Sequence, residues 1–136
     1  MTNLVVDASV ALAWCFPDEG SKEAERILAA LKGLAILVPA VWPLEIANAI
    51  LVGERRRRLK QPEIIRFVAL LESLPISPDI GTVGKSVTDV LPFARAHDLS
   101  AYDAAYLELA IRHNCSLATF DTGLQKAAKR AGVKIF

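Results

Sequence analysis

Residues 4–9 read Leu4-Val5-Val6-Asp7-Ala8-Ser9: three branched apolar residues run into an acid, then a small residue and a hydroxyl. A short apolar run without alternation suits a strand buried on both faces, as in the middle of a parallel sheet. Asp7 then falls where that strand ends. Ligands of open α/β sheets collect at the carboxyl ends of the strands, near the point where strand order reverses. If residues 4–6 form the central strand, Asp7 stands on that edge, and any further carboxylates there would share its chemistry.

Strands and helices alternate outward from this stretch. Residues 9–16 are compact and apolar enough for a short helix stopped by Pro17. Ser21 caps a second helix through about Leu31, with Ala24, Ile27, Leu28 and Leu31 at helical spacing and Gly33 as its stop. Residues 35–38 make a second buried strand ended by Pro39. Pro43 suits the first position of a third helix, which runs through Glu45, Asn48 and Leu51 into a run of arginines. Gln61-Pro62 opens a fourth helix that ends before Pro75, and residues 76–78 read as a short strand. Residues 84–97 have helical spacing that Pro92 must kink or split. Residues 99–114 give the clearest helix, with Ser100 and Asp103 in capping-box positions. Residues 116–119 form another strand; Asp121 or Thr122 starts a last helix, which Gly132 ends before the apolar run 133–135. This alternation argues for an α/β fold: a three-layer α/β/α sandwich around a central parallel sheet of four to five strands. With no repeat or linker along it, residues 1–136 are expected to form a single domain.

Composition narrows the function classes. Hydrophobic content of 53% and a mean hydropathy of +0.34 exceed what a small lone domain needs, so the surplus is expected to cover a subunit or partner interface. The longest uncharged run, residues 33–44, spans 12 residues and holds two prolines, too short and too broken to cross a bilayer. The N-terminus has no basic start or long apolar core of a signal peptide, which points to a cytoplasmic protein without membrane contact. Cys15 and Cys115, a hundred positions apart and without a C-x-x-C pair, read as two buried thiols and neither a disulfide nor a zinc site. Net charge is only +1, but Arg55, Arg56, Arg57 and Arg58 form a basic run with Lys60. Those arginines are candidate contacts for RNA backbone or a protein partner, and equally suit the negative end of a helix dipole.

Asp7, Glu45, Asp103 and Asp121 share one kind of position: a strand end or the first turn of the next helix. Each has a local explanation, since acids there satisfy the helix dipole and orphan N–H groups for about 0.3–1 kcal/mol. Together they say more. All strand-to-helix junctions of a parallel sheet lie on one edge, so the four can converge on one cleft. Clustered carboxylates must take up a proton or a cation. Oxygen ligands without cysteine or histidine favour Mg²⁺ or Mn²⁺, which can ionise a water and stabilise a phosphoryl group. That combination points to metal-dependent phosphodiester hydrolysis. Ser9, Asn48 and Thr119 fit a supporting shell: Ser9 and Thr119 lie two positions from an acid on an extended segment, and Asn48 one helical turn after Glu45.

Four blocks resemble one known family. Val5-Val6-Asp7-Ala8-Ser9, Val41-Trp42-Pro43-Leu44-Glu45-Ile46-Ala47-Asn48, Leu99-Ser100-Ala101-Tyr102-Asp103-Ala104-Ala105-Tyr106-Leu107-Glu108-Leu109-Ala110 and Leu117-Ala118-Thr119-Phe120-Asp121 resemble, in order, the motifs of PIN-domain ribonucleases of the VapC toxin type. The resemblance implies a PIN-like fold. It also implies that Asp7, Glu45, Asp103 and Asp121 bind one or two Mg²⁺ or Mn²⁺ ions, so that an activated water hydrolyses RNA to a 3′-hydroxyl and a 5′-phosphate. It further implies a cognate VapB-type antitoxin and a homodimer, or a higher toxin–antitoxin assembly.

The alternative is a non-catalytic PIN-like module that binds RNA or protein, which four bunched carboxylates argue against. A phosphoaspartyl enzyme would want an acid where Ser9 stands, and no glycine-rich phosphate loop is present. His97 and His113 read as helix-end residues, Asp98 as a loop acid, and Trp14, Phe16, Trp42 and Tyr106 as core or interface.

Overall fold

A computed structural model describes residues 3–16, 18, 20–80 and 86–136. The opening apolar stretch is β1 (Asn3–Val6), and Leu4, Val5 and Val6 are all buried. It pairs in parallel with β2 (Ala35–Pro39) on one side and β4 (Ser116–Ala118) on the other; β3 (Ile76–Asp79) completes the order β3-β2-β1-β4. Successive strands step outward from β1 through β2 to β3, and β4 then returns to the far side of β1. Strand order therefore reverses at β1, and the crevice for a ligand lies beyond the carboxyl ends of β1 and β4.

The remaining run at the C-terminus adds a single parallel bridge, Leu117 to Ile135, and no full fifth strand. Gly132, at φ +80°, turns the chain back toward the sheet ahead of that bridge.

The helices that make this an α/β sandwich begin and end where the sequence punctuates them. α1 (Ala8–Cys15) leaves β1 directly after Asp7; the Pro17 expected to stop it lies outside the described residues. The Ser21 hydroxyl accepts from Ala24 N at 3.1 Å to cap α2 (Lys22–Ala30). α3 (Trp42–Arg55) carries Pro43 in its first turn, and α4 (Gln61–Ser73) carries Pro62 likewise. In both, the prolines sit where no N–H is needed.

Gly84, the expected start of the following helix, is outside the described residues, and Pro92 splits the rest. A π-helical turn (Ser86–Val90) gives way to α5 (Leu91–His97) with the proline in its first turn. A proline cannot donate to the turn before it, so the helix is reset there.

α6 (Ala101–Arg112) packs over β1, β2 and β4, with α5 and α7 (Thr122–Arg130) against it, while α1 packs against α2, α3 and α4. Ala104, Tyr106, Leu107, Leu109 and Ala110 of α6 are buried, and each sealed leucine contributes about 2 kcal/mol. Arg112 fastens the edge strand to α6, bonding Asp79 at the end of β3 at 2.5 Å and Glu108 at 2.8 Å. Cys15 and Cys115 are buried and unbridged. Among the described residues, no helix is long and apolar enough to cross a membrane. Part of the apolar surplus is on the surface: Val87, Leu91 and Tyr102, all exposed, line an open cleft of 340 Å³.

Where α3 passes the end of α1, only a glycine fits. A Cβ on Gly53 would stand 2.7 Å from the Phe16 ring and 3.1 Å from Leu59. Phe16 is buried and covered by the Arg58 guanidinium at 4.3 Å, so the ring has little room to yield. Gly53→Ala gains helix propensity of about 0.8 kcal/mol but overpacks this contact by about 2 kcal/mol. Urea unfolding is expected to show a net loss of about 1 kcal/mol; a gain would mean that the ring swings aside freely.

Candidate active site

Asp7 is the first residue beyond β1. Its N–H donates to Ala118 O at 2.9 Å, which pins it to the end of β4. It occupies the cap position of α1, yet its side chain makes no cap hydrogen bond. Two hydroxyls claim it instead: Ser9 Oγ and Thr119 Oγ1 each donate to Asp7 Oδ2 at 2.7 Å. A hydroxyl both donates and accepts, and these two also accept backbone N–H groups. Ser9 Oγ takes Phe120 N and Thr119 Oγ1 takes Asp121 N, both at 3.1 Å. Gln125 Nε2 holds the Thr119 carbonyl at 2.8 Å. β1 and β4 are thus stitched together through one buried carboxylate. Burial pushes the Asp7 carboxyl above its ordinary value, the Thr119 and Ser9 hydroxyls pull part of the way back, and Asp121 adds repulsion.

Glu45 enters from the first turn of α3, after β2. The Tyr106 hydroxyl on α6 donates to Glu45 Oε1 at 2.6 Å. Burial raises the Glu45 carboxyl, the phenol offsets part of this, and Asp7 and Asp103 raise it further. Burial and the Glu45 carboxylate in turn push the Tyr106 phenol upward, so it stays a proton donor.

Asp103 lies in the first turn of α6, where Ser100 does the capping: its Oγ accepts Asp103 N at 3.1 Å. The Asp103 carboxyl is raised by burial first, then by Asp7 and Asp121. Asp121 caps α7, its Oδ1 accepting Leu124 N at 2.9 Å. Gly123 leaves that oxygen room, since a Cβ there would approach it to 3.3 Å.

The four acids therefore reach one edge and act on one another electrostatically. They do not close into a cage: among the described residues, no three acidic, histidine or cysteine side chains stand together as a ready metal site. Uncompensated like charges favour such an open arrangement. The donor set nevertheless suits a hard divalent cation. Every donor is a carboxylate oxygen, three of the four are held above their ordinary range, and among the described residues no lysine or arginine is paired with any of them.

The other candidates fall elsewhere. Asn48 is exposed and bonds to none of the four acids. Arg55, Arg56, Arg57 and Arg58 are exposed at the far end of α3, about 15 Å along the helix from Glu45 at 1.5 Å per residue. Arg58 pairs with Asp18 at 2.9 Å. His97 packs on Phe93, His113 ends α6, and Asp98 ends α5 in the left-handed region at φ +52°. The Tyr106 hydroxyl is what the sequence reading missed. Its ring is core, as expected, but it follows Asp103 by three residues, which places both on one face of α6.

The family profile of the PIN domain matches residues 4–130. Ribonuclease VapC3 of Pyrobaculum aerophilum is 31% identical over 121 residues, 89% of this chain and 91% of that protein. Among solved structures, PAE2754 of Pyrobaculum aerophilum superposes with a TM-score of 0.68 at 24% identity, over 93% of this chain and 79% of that one. FitAcB of Neisseria gonorrhoeae does so with a TM-score of 0.59 at 21% identity, over 98% and 96%. Both structures share the fold. The acids at the reversal of strand order lie within the matched span, and the chain belongs to the PIN-domain family, in its VapC-type branch.

Proposed function

We propose that this protein is a metal-dependent endoribonuclease and the toxin of a type II toxin–antitoxin pair. The observation that carries this reading is the set of carboxylates, one buried, two half-buried and one exposed, gathered at the carboxyl edge of β1, β2 and β4 without a basic partner among the described residues. A binding module has no use for so costly an arrangement. In this reading Asp7, Glu45, Asp103 and Asp121 hold one or two Mg²⁺ or Mn²⁺ ions. When bound, such a cation offsets the charge of a phosphoryl group and acidifies water for hydrolysis.

The chain's own groups prepare that site. Ser9 and Thr119 hold Asp7 at one oxygen and prevent it from turning away. Because Asp121 N bonds the same Thr119 hydroxyl, Asp7 and Asp121 keep a fixed separation across two strands. Donors to Asp7 and Glu45 are neutral hydroxyls, which orient a carboxylate without cancelling its charge. The bare edge repels a polyanion, so RNA enters this site only once its charge is compensated.

The likeness to Ribonuclease VapC3 supports RNA as substrate and a VapB-type antitoxin as partner. The exposed apolar cleft at Val87, Leu91 and Tyr102 supports a protein partner, in this reading a second copy of the chain. The reading places the protein in the cytoplasm.

Asp7→Asn and Asp103→Asn are expected to lose RNA cleavage by at least about 100-fold, since loss of a mere outer-shell partner of a metal ligand already costs about 10–100-fold. Incubation of partner-free protein with total RNA in Mg²⁺, Mn²⁺ or EDTA checks this. Thermal unfolding of Asp7→Asn is expected at or above the wild-type temperature, since the amide oxygen keeps both hydroxyl bonds and a buried charge is removed. Full activity in both variants would refute the site.

Stability should also depend on pH in a set direction. Asp7, Asp103 and Glu45 ordinarily titrate near 3.8, 3.8 and 4.5 and are raised on folding. The folded protein then holds more protons than the unfolded chain from those values upward, so these groups lower stability as pH rises through that window. In EDTA, the unfolding temperature is expected to rise on going from about pH 7 to about pH 5. Mn²⁺ is expected to stabilise at the higher pH and less at the lower, where protons compete for the same oxygens. A cation effect that does not vary with pH would contradict this.

A further inference from the structure

We propose that Tyr106 is a positioning residue for the cleavage reaction: its hydroxyl, donated from the core of α6 to Glu45 Oε1, fixes the Glu45 carboxylate at the acidic edge. This rests on the nuclease reading above and adds a residue to it.

Each of the three other acids has a partner within three residues: Ser9 donates to Asp7 (which Thr119, just beyond β4, also holds), the N–H of Leu124 donates to Asp121, and Asp103 has Ser100 beside it. Glu45 has no such local partner. It has one more rotatable bond than an aspartate, and among the described residues its side chain has no hydrogen bond besides the one to Tyr106. That donor arrives from a residue 61 positions later in the chain and from a different helix. The contact therefore fixes α3 relative to α6 at the point where Glu45 and Asp103 face each other.

The tyrosine divides its duties cleanly. Its ring is 0% exposed in the core, so the hydroxyl has no water to turn to and a single place to donate. A phenol also suits the task better than a basic side chain would. It orients the carboxylate and leaves the charge uncompensated, as the Ser9 and Thr119 hydroxyls do for Asp7. The donor at Glu45 thus serves cation binding where an arginine or lysine would compete with it.

Tyr106→Phe keeps the ring and removes only the donor. In partner-free full-length protein, Mn²⁺ affinity measured by electron paramagnetic resonance is expected to weaken about 10-fold or more. The kcat for RNA should fall by a similar factor with KM unchanged. The decisive comparison adds Glu45→Gln: if Tyr106 acts through Glu45, Tyr106→Phe costs less than about twofold in that background. Equal losses in both backgrounds, or Mn²⁺ affinity unchanged in Tyr106→Phe while Asp7→Asn loses it, would overturn the role of Tyr106 and leave the nuclease reading standing. Wild-type protein that binds no Mn²⁺ would overturn both. A Tyr106→Phe variant that fails to fold would make the hydroxyl a structural requirement and overturn the positioning role.

Discussion

The structure turns on one buried carboxylate. Asp7 is 5% exposed at the end of the central strand, and no basic side chain is paired with it among the described residues. Placing such a group there without compensation is costly. The fold lessens the cost with hydroxyl donors from both sides of the strand junction, yet the carboxyl remains above its ordinary range. The junction of β1 and β4 is organised around this unresolved charge. The Ser9 and Thr119 hydroxyls, the N–H of Asp121 and the backbone contact to Ala118 all serve it, directly or at one remove.

The sheet explains why the other acids meet it. In a parallel sheet each strand delivers its exit to the same edge, and a helix then starts there. Asp7 follows β1, Glu45 follows β2, Asp121 follows β4, and Asp103 opens the helix that packs across all three strands. Helix starts also favour acids for local reasons, so the fold can hold these residues at modest cost one at a time. The collective repulsion is what local preference leaves unexplained. It appears in Glu45 and Asp103, which burial raises first and the neighbouring acids raise further.

Much of this was legible in the sequence because it depends on order along the chain. An unbroken apolar run before Asp7, prolines at helix starts and a serine three residues before Asp103 fix where elements begin, and alternation then sets the common edge. Spacing sets Ser9 and Thr119 beside the acids as supporting residues, and both hydroxyls donate to Asp7. Spacing could not show that both serve the same oxygen of Asp7, which depends on β4 lying beside β1. The Tyr106 contact was invisible for a related reason: an apolar helix face announces a buried ring, while the partner of its hydroxyl belongs to another helix. Asn48 shows the opposite limit. Its helical spacing from Glu45 is real, but that spacing leads it to the exposed side of α3.

The arginine run stands apart from the acidic edge. Arg55–Arg58 is the densest basic feature of the chain, yet it sits at the opposite end of α3 from Glu45, on the edge where strands begin. One helix thus separates an acid at its N-terminus from cations at its C-terminus, each in the half of the dipole that favours it. At about 15 Å along the axis, beyond a Debye length of roughly 8 Å at physiological salt, the arginines do little to neutralise the acidic cluster. Among the described residues, no basic side chain pairs with that cluster, so its repulsion is left to protons or to a bound cation.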